Sequence, residues 1–345
     1  MSYLLDLLLG GWNGLLSYLS AHVITCLVPA LFIAGGIAAF VSQAAILKYF
    51  GPEAKKSVSY SVASVSGAVL AVCSCTVLPL FAGIYKRGAG LGPAIAFLFS
   101  GPAINVLAIV YSAKLLGYDI GLARAIGAIV FSVVVGLLMA FIYRQEKSKA
   151  DAKAFAILTA DPEGKSIWQQ IVFIGFLVGV LVFAASKNWI VMGVFLAALA
   201  VVLWRWFSRG EIAQWLRETL HFTRLIIPWL LAGVFIAGIL TVVIPSNVVA
   251  TWVGGNSISA NFIASFAGAL MYFATLTEVP IVRAFMDLGM GKGPALALLL
   301  AGPALSLPAM FTLSKIMGFK KMVTYVGIVV FMATITGYIF GLITQ

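Results

Sequence analysis

CTVLPLFAGIYKRGAGLGPAIAFLFSGPAINVLAIVYSAKLLG runs from Cys75 to Gly117, and LTEVPIVRAFMDLGMGKGPALALLLAGPALSLPAMFTLSKIMG runs from Leu276 to Gly318. The second stretch follows the first at an offset of 201 (276 minus 75), without a gap. Thr76 matches Thr277, Pro79 matches Pro280, Gly88 matches Gly289, and Gly92-Pro93 matches Gly293-Pro294. Gly101-Pro102 matches Gly302-Pro303, Lys114 matches Lys315 and Gly117 matches Gly318. Shared Ala and Leu content would not align two Gly-Pro pairs together with their flanking glycines. The chain therefore reads as a duplication.

The composition around these copies sets the class. Of 345 residues, 62% are apolar and 10% are charged, against about 25% charged in a soluble domain. Mean hydropathy is +1.09. Apolar stretches near or above the roughly 20 residues that cross a bilayer recur along the chain. They are read at about 20–44, 59–85, 90–117, 120–143, 167–186, 188–206, 224–245, 260–285, 292–318 and 321–343. An all-α polytopic membrane protein follows. The net charge of +11 then belongs to the side of the membrane where Lys and Arg collect, not to a nucleic-acid partner. The opening MSYLLDLLLGGWNGLLSYLS lacks a basic leader and is interrupted by Asp6, Gly10, Gly11 and Asn13. It is expected to be an interfacial segment leading into the first span.

Three regions are expected: a first repeat over 1–143, an insert over 144–222, and a second repeat over 223–345. The insert carries a polar loop, two spans and an amphipathic stretch in which Ile212, Trp215, Leu216 and Leu220 share one helical face. That pattern suits a helix lying in the interface. If all segments crossed, the basic loops 46–58 and 144–166 would lie on opposite sides, against the positive-inside rule. If 59–85 and its counterpart 260–285 are re-entrant hairpins, both loops lie inside with Lys86, Arg87, Arg205–Arg224, Lys315, Lys320 and Lys321. Arg283, Asp287 and Lys292 then lie outside, Arg283 within reach of Asp287 at i,i+4. This arrangement has about 8 full spans, two broken hairpins, and a second copy inverted relative to the first.

Irregular backbone survives in hydrocarbon only where protein or a cavity surrounds it. Pro79 and Pro280 interrupt their segments, and FSGPAIN and LAGPALS break a helix again at Gly-Pro. Broken helices of this kind form solute sites in transporters with inverted repeats. The stretches CSCTVLP and TLTEVP are thus expected to face each other across a central cavity. Cys73, Cys75, Thr76, Pro79, Asn105, Thr275, Thr277, Glu278 and Pro280 are its candidate solute-handling residues. Cys73 and Cys75 lie about 200° apart on a regular helix, so they converge only if the backbone unwinds. Their alternative role is packing as small hydrophobes. Cys26 is a third candidate thiol ligand for a soft metalloid. Two clustered thiols with no histidine nearby do not make a zinc site. Glu278 carries a carboxylate into an apolar segment, which marks a cavity or a partner. It is a candidate proton carrier; its structural alternative is capping, or a pair with Arg283. The threonines have a local backbone-bonding alternative, and Asn105 either meets solute or bridges helices.

The two segments CSCTVLPLFAGIYKRGAGLGPAIAFLFSGPAIN and TLTEVPIVRAFMDLGMGKGPALALLLAGP resemble the ArsP/YraQ family of predicted permeases, over about Cys26 to Gly341. The resemblance implies a multi-pass permease of the cytoplasmic membrane. In ArsP-type relatives it implies export of trivalent organoarsenicals with cysteine thiols involved. Glu278 inside TEVP is the YraQ-like feature of the second half. The leading expectation is a secondary transporter exporting a small thiophilic or anionic solute, since no G-x-x-x-x-G-K-[ST] loop for ATP is present. Its expected partners are lipid, the solute and protons; no cofactor is expected, and a homo-oligomer is compatible with the sequence. A membrane thiol oxidoreductase using Cys73 and Cys75 is the alternative from another class, and a passive channel is a third.

Overall fold

Gly-Pro pairs decide where the helices stop. The computed structural model describes residues 2–20, 27–40, 55–70, 74–86, 88–144, 167–243, 252–272 and 278–344, and these form helices with no extended strand. The first half gives α1 (Ser2–Tyr18), α2 (Val28–Phe40), α3 (Lys56–Leu70), α4 (Ser74–Lys86), α5 (Leu91–Ala103), α6 (Val106–Leu116) and α7 (Tyr118–Ile142). Then come α8 (Ile167–Ala185), α9 (Trp189–Trp206) and α10 (Arg209–Val243). The second half gives α11 (Ile258–Leu270), α12 (Glu278–Asp287), α13 (Lys292–Ala301), α14 (Leu307–Met317) and α15 (Phe319–Ile343).

The duplication is carried into the backbone. Adding 201 to the bounds of α6 and α7 gives 307–317 and 319–343, the bounds of α14 and α15. Each copy is built around one helix that is apolar on every side and buried on every side: Gly92–Ala103 in α5 and Gly293–Ala301 in α13. Pro93 and Pro294 fall in the first turns of these helices, where the missing N–H has no intrahelical partner to lose. At the far end Gly101-Pro102 and Gly302-Pro303 interrupt the chain, and a side chain restarts it each time. Asn105 Oδ1 accepts from Ala108 N at 3.3 Å and Ser306 Oγ accepts from Ala309 N at 3.3 Å. These are N-caps at matching positions. Across the first break the axis bends by 48°.

Within each copy the central helix packs on three neighbours: α5 on α3, α4 and α7, and α13 on α11, α12 and α15. The closest crossings need glycine. A Cβ on Gly136 would lie 2.7 Å from the Gly92 carbonyl, and one on Gly337 would lie 2.7 Å from the Gly293 carbonyl. Hydroxyl pairs tie the same layers, Ser64 to Ser132 and Ser265 to Thr334, each at 2.8 Å, as small and polar residues do between membrane helices. The copies meet through α7 on α15, α4 on α14 and α12 on α6. At one end, Tyr143 just past α7 bonds Thr324 near the start of α15 at 2.9 Å. At the other, Asp119 at the start of α7 pairs with Lys292 at the start of α13, which lies beside Gly337 late in α15. So α7 and α15 run antiparallel.

Among the described residues, four helices are long and apolar enough to cross a bilayer, α7, α9, α15 and the 209–236 portion of α10, or five if α5 and α6 form one bent span. The sequence reading expects about eight, because it counts 90–117 and 292–318 as full spans where the structure has α5 and α6, and α13 and α14. The stretch 59–85, expected as a re-entrant hairpin, is divided into α3 and α4, of 15 and 13 residues, about 20 Å each against a hydrocarbon core of about 30 Å. α9 has a single buried residue, Leu199, which makes it a peripheral, surroundings-facing helix.

Two segments expected at the interface pack on other helices. The amphipathic stretch around Trp215 is the opening third of α10, a continuous 35-residue helix about 52 Å long, which outreaches the hydrocarbon core. Its Trp215 turns inward, donates from Nε1 to the Phe32 carbonyl at 2.9 Å and packs edge-on against Phe173. α1 packs against the apolar end of α10, where Gly238 lets the Gly10 carbonyl and Gly11 Cα approach to 2.6 and 3.0 Å of where its Cβ would be. Helix contacts hold both segments.

Candidate functional site

Arg124 and Glu278 occupy the place where the copies join. Arg124 lies on α7, six residues after the helix begins, in the apolar run GLARAIGAIV. Glu278 opens α12, where a carboxylate suits the positive end of the helix. Both side chains are 0% exposed. The Arg124 Nη2 donates to Glu278 Oε1, and Nη1 donates to Ser112 Oγ on α6 at 2.8 Å. Ser112 donates onward to the Ala108 carbonyl at 2.8 Å. Ala108 is the residue whose N–H is capped by Asn105. A polar chain thus runs from the Gly-Pro break of the first copy, through Asn105, Ala108, Ser112 and Arg124, to Glu278 of the second.

The chain ends at the second Gly-Pro break. Glu278 Oε2, the Leu298 carbonyl and the Gly268 carbonyl all lie within 3.1–3.8 Å of the point where a Cβ on Gly302 would sit. Leu298 O and Gly268 O belong to the last turns of α13 and α11, and helix C-termini present carbonyls, not N–H groups. Oε2 lies beside the break and finds no donor. It and Arg124 Nε are buried polar atoms with no hydrogen-bond partner; each such atom costs about 1–3 kcal/mol. The ion pair uses one nitrogen and one oxygen, not the two-point fork that Arg and carboxylate can make. Removing either partner would leave an uncompensated buried charge, at about 3–5 kcal/mol.

Of the residues singled out from sequence, Glu278 and Asn105 are brought into this chain. Asn105 caps the start of α6. Glu278 pairs with Arg124, not with Arg283, because α12 points Arg283 outward to Asp287 at 3.0 Å and to the Leu115 carbonyl at 3.3 Å. Thr76 and Pro79 are buried on α4, and Pro79 sits within that helix. Pro280 is different: it is exposed, in the first turn of α12, a position that tolerates proline and needs no kink. Cys75 is the second residue of α4, its side chain outside the described set; Cys26, Cys73, Thr275 and Thr277 lie outside the described residues. Arg124 and Ser112 escape the sequence reading. The signal for Arg124 was available, since a cation isolated in an apolar segment asks for an anion elsewhere in the bundle.

A family model described as "predicted permease", ArsP_1, matches residues 8–342. The chain belongs to this predicted-permease family. UPF0718 protein MJ0584 of Methanocaldococcus jannaschii is 48% identical over 366 residues, covering 100% of this chain and 99% of that one. UPF0718 protein YraQ of Escherichia coli K12 is 26% identical over 245 residues, 71% of this chain and 56% of that one. No solved structure matches. Membership of a permease family, with apolar helices throughout, makes this a multi-pass membrane protein and speaks for a transporter over an enzyme.

Proposed function

We propose that this permease is a secondary transporter working by alternating access, built from two inverted copies with eight full spans and two re-entrant broken hairpins. Its solute path runs between the two Gly-Pro breaks, and Glu278 carries the coupling proton. The solute is small and thiophilic or anionic, a trivalent organoarsenical being the candidate that kinship suggests, exported across the cytoplasmic membrane. Residues Cys73, Cys75 and Cys26 are its candidate thiols, with Thr76, Thr275 and Thr277 beside the path.

One observation carries the reading: the buried Glu278 carboxylate, held by the other copy and with one oxygen beside the second break left without a hydrogen-bond partner. A proton on Oε2 turns that unpartnered oxygen into a donor. The inverted arrangement is supported by the antiparallel run of α7 and α15, which occupy equivalent positions in the two copies. It is supported too by where the charges meet. Lys86 pairs with Glu218, and Lys321 reaches Tyr85, among residues expected inside. Lys292 pairs with Asp119, and Arg283 with Asp287, at the end expected outside.

The test is uptake of methylarsenite into inside-out vesicles under an imposed proton gradient. Wild-type vesicles should accumulate it, and Glu278→Gln vesicles should not, while the variant still elutes as a monodisperse species. Equal accumulation by wild type and variant would remove the carrier role. Absence of wild-type uptake would remove the arsenical.

A further inference from the structure

Arg124 is an intramembrane charge that the carrier role of Glu278 leaves without a task. Packing does not require it. The positions 201 residues away are Tyr325 for Arg124 and Val77 for Glu278 (278 minus 201), both buried. There Tyr325 simply donates to the Ala304 carbonyl at 3.2 Å. The same fold element therefore fills this place in the other copy without an ion pair. Charges kept where neutral residues suffice are expensive to bury, and point to a use.

The geometry around Arg124 suggests which use. Its guanidinium keeps an unpartnered Nε donor, and its ion pair with Glu278 is a single contact. A guanidinium in a dry site needs one negative charge beside it, and cannot shed its own proton. If the Glu278 carboxylate takes up a proton, the site holds Arg⁺ alone. An incoming monoanion restores neutrality. We infer that Arg124 is the solute-binding residue, taking a small monoanionic oxyanion in place of Glu278 once that carboxylate is protonated. This rests on the proposed carrier role of Glu278 and narrows the solute class to anions. The exchange balances: one proton joins the carboxylate, one negative charge joins the guanidinium, and the net charge of the site stays at zero.

Other ionisable groups on the helices around Glu278 stand at helix ends. They are Lys114 on α6, Asp119 on α7, Lys292 on α13, and Arg283 and Asp287 on α12 itself. Asp119 pairs with Lys292, Arg283 pairs with Asp287, and Lys114 is exposed. α11 carries no charged residue. Among the described residues, Arg124 is the charged group that touches Glu278.

The experiment titrates the purified full chain in lipid nanodiscs with nitrate and with methanesulfonate, neither of which titrates near neutral pH. Wild-type affinity should fall about tenfold for each pH unit above the carboxylate midpoint, the slope of one linked proton. Glu278→Gln, a permanently neutral stand-in, should bind as tightly as wild type at low pH and show no slope. The double variant Arg124→Met/Glu278→Met, checked for monodisperse elution, should not bind. A slope that persists in Glu278→Gln, binding by the double variant, or no binding by wild type or Glu278→Gln at any pH would overturn the inference. Uptake of neutral methylarsenite driven by a proton gradient, with no anion bound, would overturn it while leaving the transporter reading in place. Binding in the expected pattern, with uptake indifferent to the gradient, would do the reverse.

Discussion

Removing the two buried charges singly and together separates a structural ion pair from a functional one. Arg124→Met leaves the Glu278 carboxylate enclosed with no counter-charge, and Glu278→Met leaves the guanidinium with only Ser112. Each single change should destabilise by about 3–5 kcal/mol, a factor of roughly 10² to 10³ or more in the unfolding equilibrium at 1.4 kcal/mol per tenfold. The double change removes both charges and also the two unsatisfied atoms, Arg124 Nε and Glu278 Oε2. Each of these costs about 1–3 kcal/mol in the wild type. The double variant is therefore expected at or above wild-type stability, not at the additive loss of about 6–10 kcal/mol. Reversible denaturant titration in mixed micelles reads all four members of the cycle. Two results would refute the reasoning: single losses under about 1 kcal/mol, which would mean the pair is solvated, or a double variant as unstable as the sum. Stability retained by the double variant, together with lost transport, would assign the charges to function.

The internal repeat allows paired tests. Asn105→Ala and Ser306→Ala each remove an N-cap and should cost similar amounts, about 1 kcal/mol; Asn105→Ser should restore most of the first. A marked inequality in the same titration would mean that the two restart points are not equivalent. Gly136→Ala and Gly337→Ala place a methyl 2.7 Å from a facing carbonyl and should each cost about 1–3 kcal/mol by forcing the helices apart. Gly175→Ala, with nothing within 4 Å of the new methyl, should be neutral or stabilising by up to about 1 kcal/mol. Equal effects at all three sites would contradict the packing described.

The fold was legible wherever backbone chemistry acts locally. Gly-Pro is tolerated in a helix's first turn but disrupts the helix further along, so the stops at 101–105 and 302–306 follow from two adjacent residues each. The run of apolar residues in α5 and α13 likewise marks helices buried on every side. Span counting was less reliable, because hydropathy sums over breaks: it counts 90–117 as one span and not as α5 followed by α6. An amphipathic face such as that of the Trp215 stretch is the same pattern whether lipid or protein covers it. Glu278 stood out as an anion in an apolar segment. Arg124 obeys the same rule and was absorbed into a span.

By itself the sequence determined a duplicated, helical membrane chain and the positions of its Gly-Pro breaks, because these depend on composition, on repetition, and on residues next to one another. It also determined that the carboxylate at 278 needs a cavity or a partner. Which partner was decided only by the tertiary structure. Arg124 stands 154 residues away from Glu278, and they meet because α12 of one copy packs on α6 of the other, beside α7. No local pattern encodes that meeting; it follows from how two sets of equivalent helices dock.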